Sequence, residues 1–216
     1  MSKNGQQKPA DASGSRSTVI IVAIVAILAI AGIAAISTIG AGDSAAGTGT
    51  ISETQPVTVS GTALPRYPEQ GADTAIGQQA PELSGLSFDG TPVSITNDGR
   101  PKIIIFLAHW CPHCQNDVKE LTPYIKANGL PDDVDFYAVS TGSDPAAPNY
   151  PPSKWLADWP IPTIADDAQG AAAQAFGLNA FPFFVFVTAQ GTIDFRFPGE
   201  VPPEALVDAA HVLAGN

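Results

Sequence analysis

The segment PKIIIFLAHWCPHCQNDVKELTPYIKANGL, residues 101–130, decides the fold. Its first part, residues 101–108, is a continuous apolar run rich in β-branched side chains, which is typical of a strand buried on both faces. After the cysteines, apolar residues recur at spacings of three and four, at Val118, Leu121 and Ile125. This spacing predicts a helix that begins at the cysteines and follows the strand directly.

The same segment contains both cysteines of the 216-residue chain, Cys111 and Cys114. A disulfide between them closes a very short loop and restrains the unfolded chain little, so the spacing indicates chemistry rather than a structural cross-link. Residues three apart in a helix lie on one face with Cβ atoms about 5–6 Å apart. Such a pair can therefore form a disulfide or open to a dithiol.

The two cysteines are not equivalent. Pro112 suits the first helical position, which places Cys111 at the helix N-terminus, where free N–H groups and the helix dipole stabilise a thiolate. Cys114 lies one turn further in and is more shielded. We therefore predict that Cys111 attacks or is attacked and that Cys114 resolves the mixed disulfide. A cationic His113 would stabilise the Cys111 thiolate further, and a stabilised reduced form makes the disulfide a stronger oxidant.

The rest of the C-terminal sequence predicts an α/β domain. Asp89-Gly90 separates two short apolar segments and indicates a hairpin. Residues 133–140 and 161–166 favour strands, and residues 181–199 favour two strands joined at Gln190-Gly191. Helices are predicted over residues 154–159, 168–178 and 202–215. This order of elements predicts a mixed central sheet with helices on both faces.

The N-terminal region has a different composition. Residues 1–17 form a polar tail, and no charged residue occurs between Ser17 and Gly42. A helix over residues 18–40 would cross the ~30 Å hydrocarbon core of a bilayer and is longer than the ~7–15-residue apolar region of a cleaved signal peptide. We favour an uncleaved transmembrane anchor, although the small residues that follow leave cleavage open. Residues 41–75 predict a flexible linker, and residues 76–216 form the folded domain.

Charge sets the expected orientation and excludes some partners. Lys3, Lys8 and Arg16 precede the span, so the positive-inside rule places the N-terminus in the cytoplasm and the domain outside it. Beyond the span, 7 Lys and Arg residues face 20 Asp and Glu residues. This acidity argues against nucleic acid as a partner, and the lipid bilayer is expected to be contacted through residues 18–40.

Three segments carry a family resemblance. The strand–WCPHC–helix order, the segment FGLNAFPFFVF at residues 176–186 and the segment IGQQAPELSGLSFDGTPVSI at residues 76–95 resemble the thioredoxin superfamily, the last one its TlpA-like extracytoplasmic branch. The CPHC sequence has the same residues between the cysteines as DsbA. The resemblance covers about residues 76 to 214 and implies a thioredoxin-like fold.

The resemblance also implies roles for single residues. Cys111 would be the nucleophile, Cys114 the resolving thiol and Pro182 a cis-proline opposite them. Trp110, Pro112 and Phe181 would then line the groove in which a substrate backbone docks.

One feature departs from the family pattern. Thioredoxin and DsbA carry a buried acid six residues before the first cysteine, where this chain has Ile105. Some TlpA-like proteins carry an acid three residues after the second cysteine, where this chain has Asp117. Asp117 is therefore a candidate for proton transfer, with a solubilising surface residue as the alternative.

These observations predict a membrane-anchored extracytoplasmic thiol–disulfide oxidoreductase whose only cofactor is its Cys111–Cys114 disulfide. Its expected task is to oxidise cysteines of exported proteins, with a membrane or soluble redox partner that reoxidises it. Two alternatives stay open: a reductant for a specific target such as apocytochrome c, and a non-enzymatic copper-delivery module. A zinc site that uses His109 or His113 is disfavoured because structural zinc takes four ligands and no second cysteine pair exists. Gln115 removes the C-x-x-C-H pattern of haem attachment.

Overall fold

The computed structural model describes Met1 and residues 50–215. The predicted cytoplasmic tail, the predicted span over residues 18–40 and the first part of the predicted linker lie outside these residues. Within the described part of the chain, no helix has the length and apolarity needed to cross a membrane.

The described residues form eight strands, arranged in two sheets, and four helices. The strands are β1 (Thr58–Ser60), β2 (Glu82–Leu86), β3 (Pro92–Ile95), β4 (Lys102–Leu107), β5 (Asp135–Ser140), β6 (Thr163–Ala165), β7 (Phe183–Val187) and β8 (Ile193–Pro198). The helices are α1 (Pro112–Asn128), α2 (Pro152–Trp155), α3 (Ala171–Ala175) and α4 (Pro203–Ala214). The predicted hairpin is β2 and β3, while α2 begins earlier and α3 is shorter than predicted.

The central sheet has five strands in the order β6-β5-β4-β7-β8. Strand β4 runs parallel to β5 and antiparallel to β7, which confirms the predicted mixed sheet. A second, antiparallel sheet has the order β1-β2-β3. The central position of β4 places its C-terminal end, and the cysteines that follow it, in the middle of one edge of the main sheet.

Strand β4 is buried on both faces, as its composition predicts. Ile103, Ile105 and Leu107 pack in a cluster with residues of α1 and α4. Ile104 and Phe106 point to the other face and pack with residues of α3 and of the small sheet. Helices therefore cover both faces of the central sheet, and all six residues of β4 are buried.

The structure corrects the predicted flexible linker over residues 41–75, because its C-terminal part is folded. Strand β1 pairs with β2. The backbone N–H of Leu64 donates to Ala175 O at 2.8 Å, and the N–H of Tyr67 donates to Gly177 O at 2.8 Å. Ala175 and Gly177 lie more than a hundred residues further along the chain than their partners, so local composition does not reveal these contacts.

A buried arginine side chain and a close backbone approach at a glycine hold this segment in place. The Arg196 guanidinium of β8 is fully buried and donates to both carboxylate oxygens of Asp73 and to Pro65 O. Gly177 has φ +66°, and a Cβ atom built there would lie 2.3 Å from Pro65 O. The close approach of the two backbones thus requires glycine at position 177. Residues 57–75 consequently belong to the folded domain.

Candidate active site

Both cysteines lie at the start of α1, directly after the buried strand. Cys111 is the N-cap residue, Pro112 opens the helix, and the N–H of Cys111 donates to Ala108 O at 3.0 Å. Both residues carry free thiols in this structure. Cys111 is 6% exposed and Cys114 is 0% exposed, so the predicted order of accessibility is confirmed, although Cys111 itself is largely buried.

The sulfur of Cys111 contacts the segment that contains Pro182. The Phe181–Pro182 peptide bond is cis, which confirms the expectation drawn from the resemblance. The Cys111 thiol donates to Phe181 O at 3.3 Å. The chain brings these residues together because β4 pairs with β7, whose first residue follows Pro182.

Cys114 is held as a thiol. Burial raises its pKa above the ordinary cysteine value, and interactions with Cys111 and Asp117 raise it further. The hydrogen bond that the Ala108 N–H donates to its sulfur at 3.4 Å acts in the opposite direction but does not compensate. Cys114 therefore needs a base nearby before it can attack another sulfur.

Asp117 supplies a carboxyl group next to Cys114. It lies in α1 and is 3% exposed, so the alternative of a solubilising surface residue is wrong. Its Oδ1 accepts the Val201 N–H at 3.2 Å, and its Oδ2 has no hydrogen-bond partner among the described residues. Burial raises the pKa of Asp117 to about 7, so this carboxyl group can take up or release a proton near neutral pH.

His113 lies on the surface between the cysteines, with 67% of its side chain exposed. Its Nδ1 forms a hydrogen bond with Glu200 Oε1, which becomes an ion pair when the imidazole is protonated. This hydrogen bond is the main reason that the pKa of Glu200 lies below its ordinary value. Sequence reasoning missed Glu200, because it lies 87 residues from His113 and no local motif marks it.

Aromatic side chains form one wall beside Cys111. Trp110 and Phe181 meet edge to face, with ring centroids 5.8 Å apart. Trp110 is 38% exposed, and its Nε1–H donates to Gly142 O at 2.8 Å. Pro112 is also exposed. Trp110 and Pro112 flank Cys111 in the chain, and Phe181 O accepts the hydrogen bond from its thiol, so these three residues of the predicted groove lie next to Cys111.

The sequence model of the thioredoxin-like domain family matches residues 88–212. The chain belongs to the thioredoxin-like family. The secreted antigen MPT53 of Mycobacterium tuberculosis is 31% identical over 124 residues, which cover 57% of this chain and 66% of MPT53. The methylamine utilization protein MauD of Methylobacillus flagellatus is 31% identical over 71 residues, which are 32% of this chain and 33% of MauD. This thioredoxin-like protein thus spans just under two thirds of the length of MPT53 and a third of that of MauD.

Solved structures show the same fold. A thioredoxin family thiol:disulfide interchange protein from Chlorobium tepidum superposes with a TM-score of 0.52 at 20% identity and covers 67% of this chain and 100% of that one. StoA from Bacillus subtilis superposes with a TM-score of 0.51 at 19% identity and covers 59% of this chain and 94% of StoA. At 19–20% identity these comparisons show that the thioredoxin-like protein shares the fold of the two structures.

Two further residues from the sequence analysis, Ile105 and His109, are buried inside the domain. Ile105 is fully buried in the apolar cluster, so the position of the missing acid is filled by packing. His109 is also fully buried in the thioredoxin-like protein; its Nδ1–H donates to Pro148 O at 2.7 Å and its Nε2 accepts the Asp144 N–H at 3.1 Å. Both ring nitrogens of His109 are thus occupied. Among residues 50–215, no group of three or more potential ligands is placed to hold a metal ion.

Proposed function

We propose that this thioredoxin-like protein is an extracytoplasmic thiol–disulfide oxidoreductase that oxidises cysteines of exported proteins. One observation carries the proposal: two thiols of different exposure begin a helix, and a buried carboxyl group with a pKa of about 7 lies beside the less exposed one. This arrangement provides a nucleophile, a resolving thiol and a proton carrier at one site. The family membership and the contact between Cys111 and the Pro182 segment support the same function.

In the proposed reaction, a client thiolate attacks Cys111 Sγ of the oxidised protein. The Cys111–Cys114 bond breaks, its electron pair moves to Cys114 Sγ, and Asp117 supplies the proton that makes Cys114 a thiol. A second client thiolate then attacks the client sulfur of the mixed disulfide and releases Cys111 as a thiolate. The client gains a disulfide and the protein becomes a dithiol, which a partner disulfide must reoxidise.

The direction of exchange is proposed from the residues around Cys111. A helix N-terminus favours the thiolate, and protonated His113 would add a positive charge between the cysteines. Stabilising the reduced form makes a disulfide more oxidising. We therefore propose an oxidant, with clients that are exported proteins containing cysteine and a membrane or soluble redox partner.

We further propose that residues 18–40 anchor the protein in the membrane with its N-terminus in the cytoplasm. The charge-free run and the cations before it support this topology. The relative MPT53 is named a soluble secreted antigen, which supports a location outside the cytosol for the folded domain.

Replacing Cys114 with Ala should trap clients on Cys111 in cells, because the Cys111 thiolate of this variant can attack a client disulfide and the resulting mixed disulfide lacks the Cys114 thiol that would break it. We expect discrete adducts on non-reducing gels that disappear with reductant and that sediment with the membrane fraction. The matched control is Cys111→Ala, whose remaining thiol is fully buried and should trap little. Absence of adducts from the Cys114 variant would contradict the exchange activity, whereas adducts only in the soluble fraction would contradict the anchor.

Replacing Asp117 with Asn should slow resolution of a mixed disulfide by about 100-fold at pH 7, since general-base help is lost. The assay adds an aromatic disulfide to the reduced protein and follows the second, unimolecular release of the aromatic thiolate, in which Cys114 attacks. In the unmodified protein this rate should rise as pH increases through about 7, where Asp117 loses its proton. The exposed acid Glu204 gives the control, Glu204→Gln. Equal rates and pH profiles for the Asn variant and the unmodified protein would remove Asp117 from the mechanism.

A further inference from the structure

The loop between β8 and α4 contacts three parts of the candidate site through consecutive residues. The Gly199 N–H donates to Pro182 O at 2.9 Å. Glu200 Oε1 accepts hydrogen bonds from His113 Nδ1 and from Asn116 Nδ2, the latter at 3.4 Å. This loop therefore joins the cis-proline segment to the helix that carries the cysteines.

The third contact of the loop is made with the buried carboxyl group. The Val201 N–H donates to Asp117 Oδ1 at 3.2 Å. Because Glu200 and Val201 are adjacent, the hydrogen bond to Asp117 and the hydrogen bond with His113 depend on the same stretch of backbone. The Glu200 side chain is 38% exposed, so its charge lies at the boundary between the solvent and Asp117.

The charged groups that act on Asp117 lie on α1 and in the loop between β8 and α4. Burial raises its pKa most, the Val201 N–H lowers it, Glu200 and then Glu120 raise it, and His113 lowers it. The thiol of Cys114 lies on the same face of α1. On α4, which packs beside α1, the acids Glu204 and Asp208 are exposed. Glu200 and His113 thus act on Asp117 with opposite sign.

We propose that Glu200 is a positioning residue whose carboxylate, balanced by the imidazole of His113, sets the pH at which Asp117 exchanges its proton with Cys114. The ion pair works as a regulator at the rim of the site, because it changes the charge near Asp117 without contacting a reacting sulfur. The effect of Glu200 on the protonation of Asp117 does not depend on the proposed function, whereas the effect on disulfide exchange rests on it.

The two members of the ion pair make opposite predictions. Glu200→Gln keeps an oxygen that can accept from His113 but removes the negative charge, so Asp117 should lose its proton at lower pH. His113→Gln removes an imidazole that lowers the pKa of Asp117, so Asp117 should lose its proton at higher pH. We expect the acid dissociation constant of Asp117 to increase about threefold or more in the first variant and to decrease in the second. A purely structural role of the loop contact would shift both variants in the same direction.

The test is a ¹³C NMR titration of the Asp117 carboxyl group in the reduced full chain, with Asp117→Asn used to identify the resonance. Glu204→Gln, which removes an exposed acid of α4, is the matched control and should leave the midpoint unchanged. Opposite shifts for the Glu200 and His113 variants support the inference. Coincident midpoints, or shifts of the same sign, overturn it.

A second measurement separates this inference from the proposed function. The midpoint of the pH–rate profile of the unimolecular resolution step should shift to lower pH for Glu200→Gln and to higher pH for His113→Gln, in parallel with the NMR midpoints. If the unmodified protein exchanges no disulfides while the NMR midpoints shift as expected, the proposed function fails and the role of Glu200 stands. If exchange is intact and the midpoints coincide, only the role of Glu200 fails.

Discussion

Replacing Cys111 with Ser should reduce disulfide exchange by about 1000-fold or more, because a hydroxyl group cannot form the mixed disulfide and removal of a nucleophile has effects of at least this size. The fold should persist, since Ser is a favourable N-cap residue and differs from Cys in one atom. The measurement is the rate at which the oxidised or reduced protein exchanges with a cysteine-containing peptide, together with the urea midpoint of each variant.

Cys114→Ser is the matched control for this variant. Its Cys111 thiolate should still attack a peptide disulfide, which forms a mixed disulfide and releases the other peptide sulfur as a thiolate, but the variant should fail to resolve that mixed disulfide, so the two substitutions stop the reaction at different stages. Substantial turnover by the Cys111 variant would assign the attack to Cys114, which is contrary to the difference in exposure between the two residues.

Replacing Asp73 with Ala should lower the free energy of unfolding by about 3–5 kcal/mol, the range found when one partner of a buried ion pair is removed. Arg196 Nε donates to Asp73 Oδ2 at 2.9 Å, and the guanidinium has no exposed surface. Its Nη1 also donates to Phe176 O at 2.7 Å, so the side chain is held by β8 and its neighbours. Without Asp73 the cation would stay buried and lose its counter-charge. Urea unfolding at pH 7 measures the loss.

A double-mutant cycle and a pH series define the interaction. Arg196→Met removes the buried charge, so adding it to the Asp73 variant should recover part of the lost stability. Burial by itself would raise the pKa of Asp73, but hydrogen bonds from Arg196 and the Ala75 N–H and the charge of Arg196 hold it below the ordinary value of 3.8. The contribution of Asp73 is therefore present above this value and is lost as pH falls through the folded-state pKa. A stability difference that grows in acid, or no loss at pH 7, would contradict the interpretation.

The sequence predicts features whose cause is local or follows a repeated spacing. The apolar run of β4 and the helix start at Cys111 each follow from a short segment and are confirmed. The cis bond before Pro182, which the family resemblance implies, is confirmed as well. The burial of Asp117 could also have been predicted from the sequence, because Asp117 shares a helix face with Cys114 and Leu121. The position of a residue in the helical repeat thus predicts its burial better than its acidic character does.

The features that the sequence analysis missed depend on contacts between distant parts of the chain. Residues 57–75 contain few large apolar side chains, so composition indicates a linker, yet a cation 123 residues away from Asp73 binds this segment. Glu200 likewise gains its importance only when the sheet brings its loop to α1. In both cases the contact is made by a charged side chain. The spacing of charged residues along the sequence does not indicate which of them pair in the fold.

The small exposed surface of Cys111 limits which client molecules can react. Only 6% of Cys111 is exposed, so we expect a cysteine in an extended, protruding chain to reach this sulfur more readily than one in a flat or recessed part of a folded surface. Under the proposed function, the protein would therefore discriminate by conformational state rather than by sequence. Newly translocated polypeptides would be oxidised in the interval before they complete folding, and mature proteins would be left untouched.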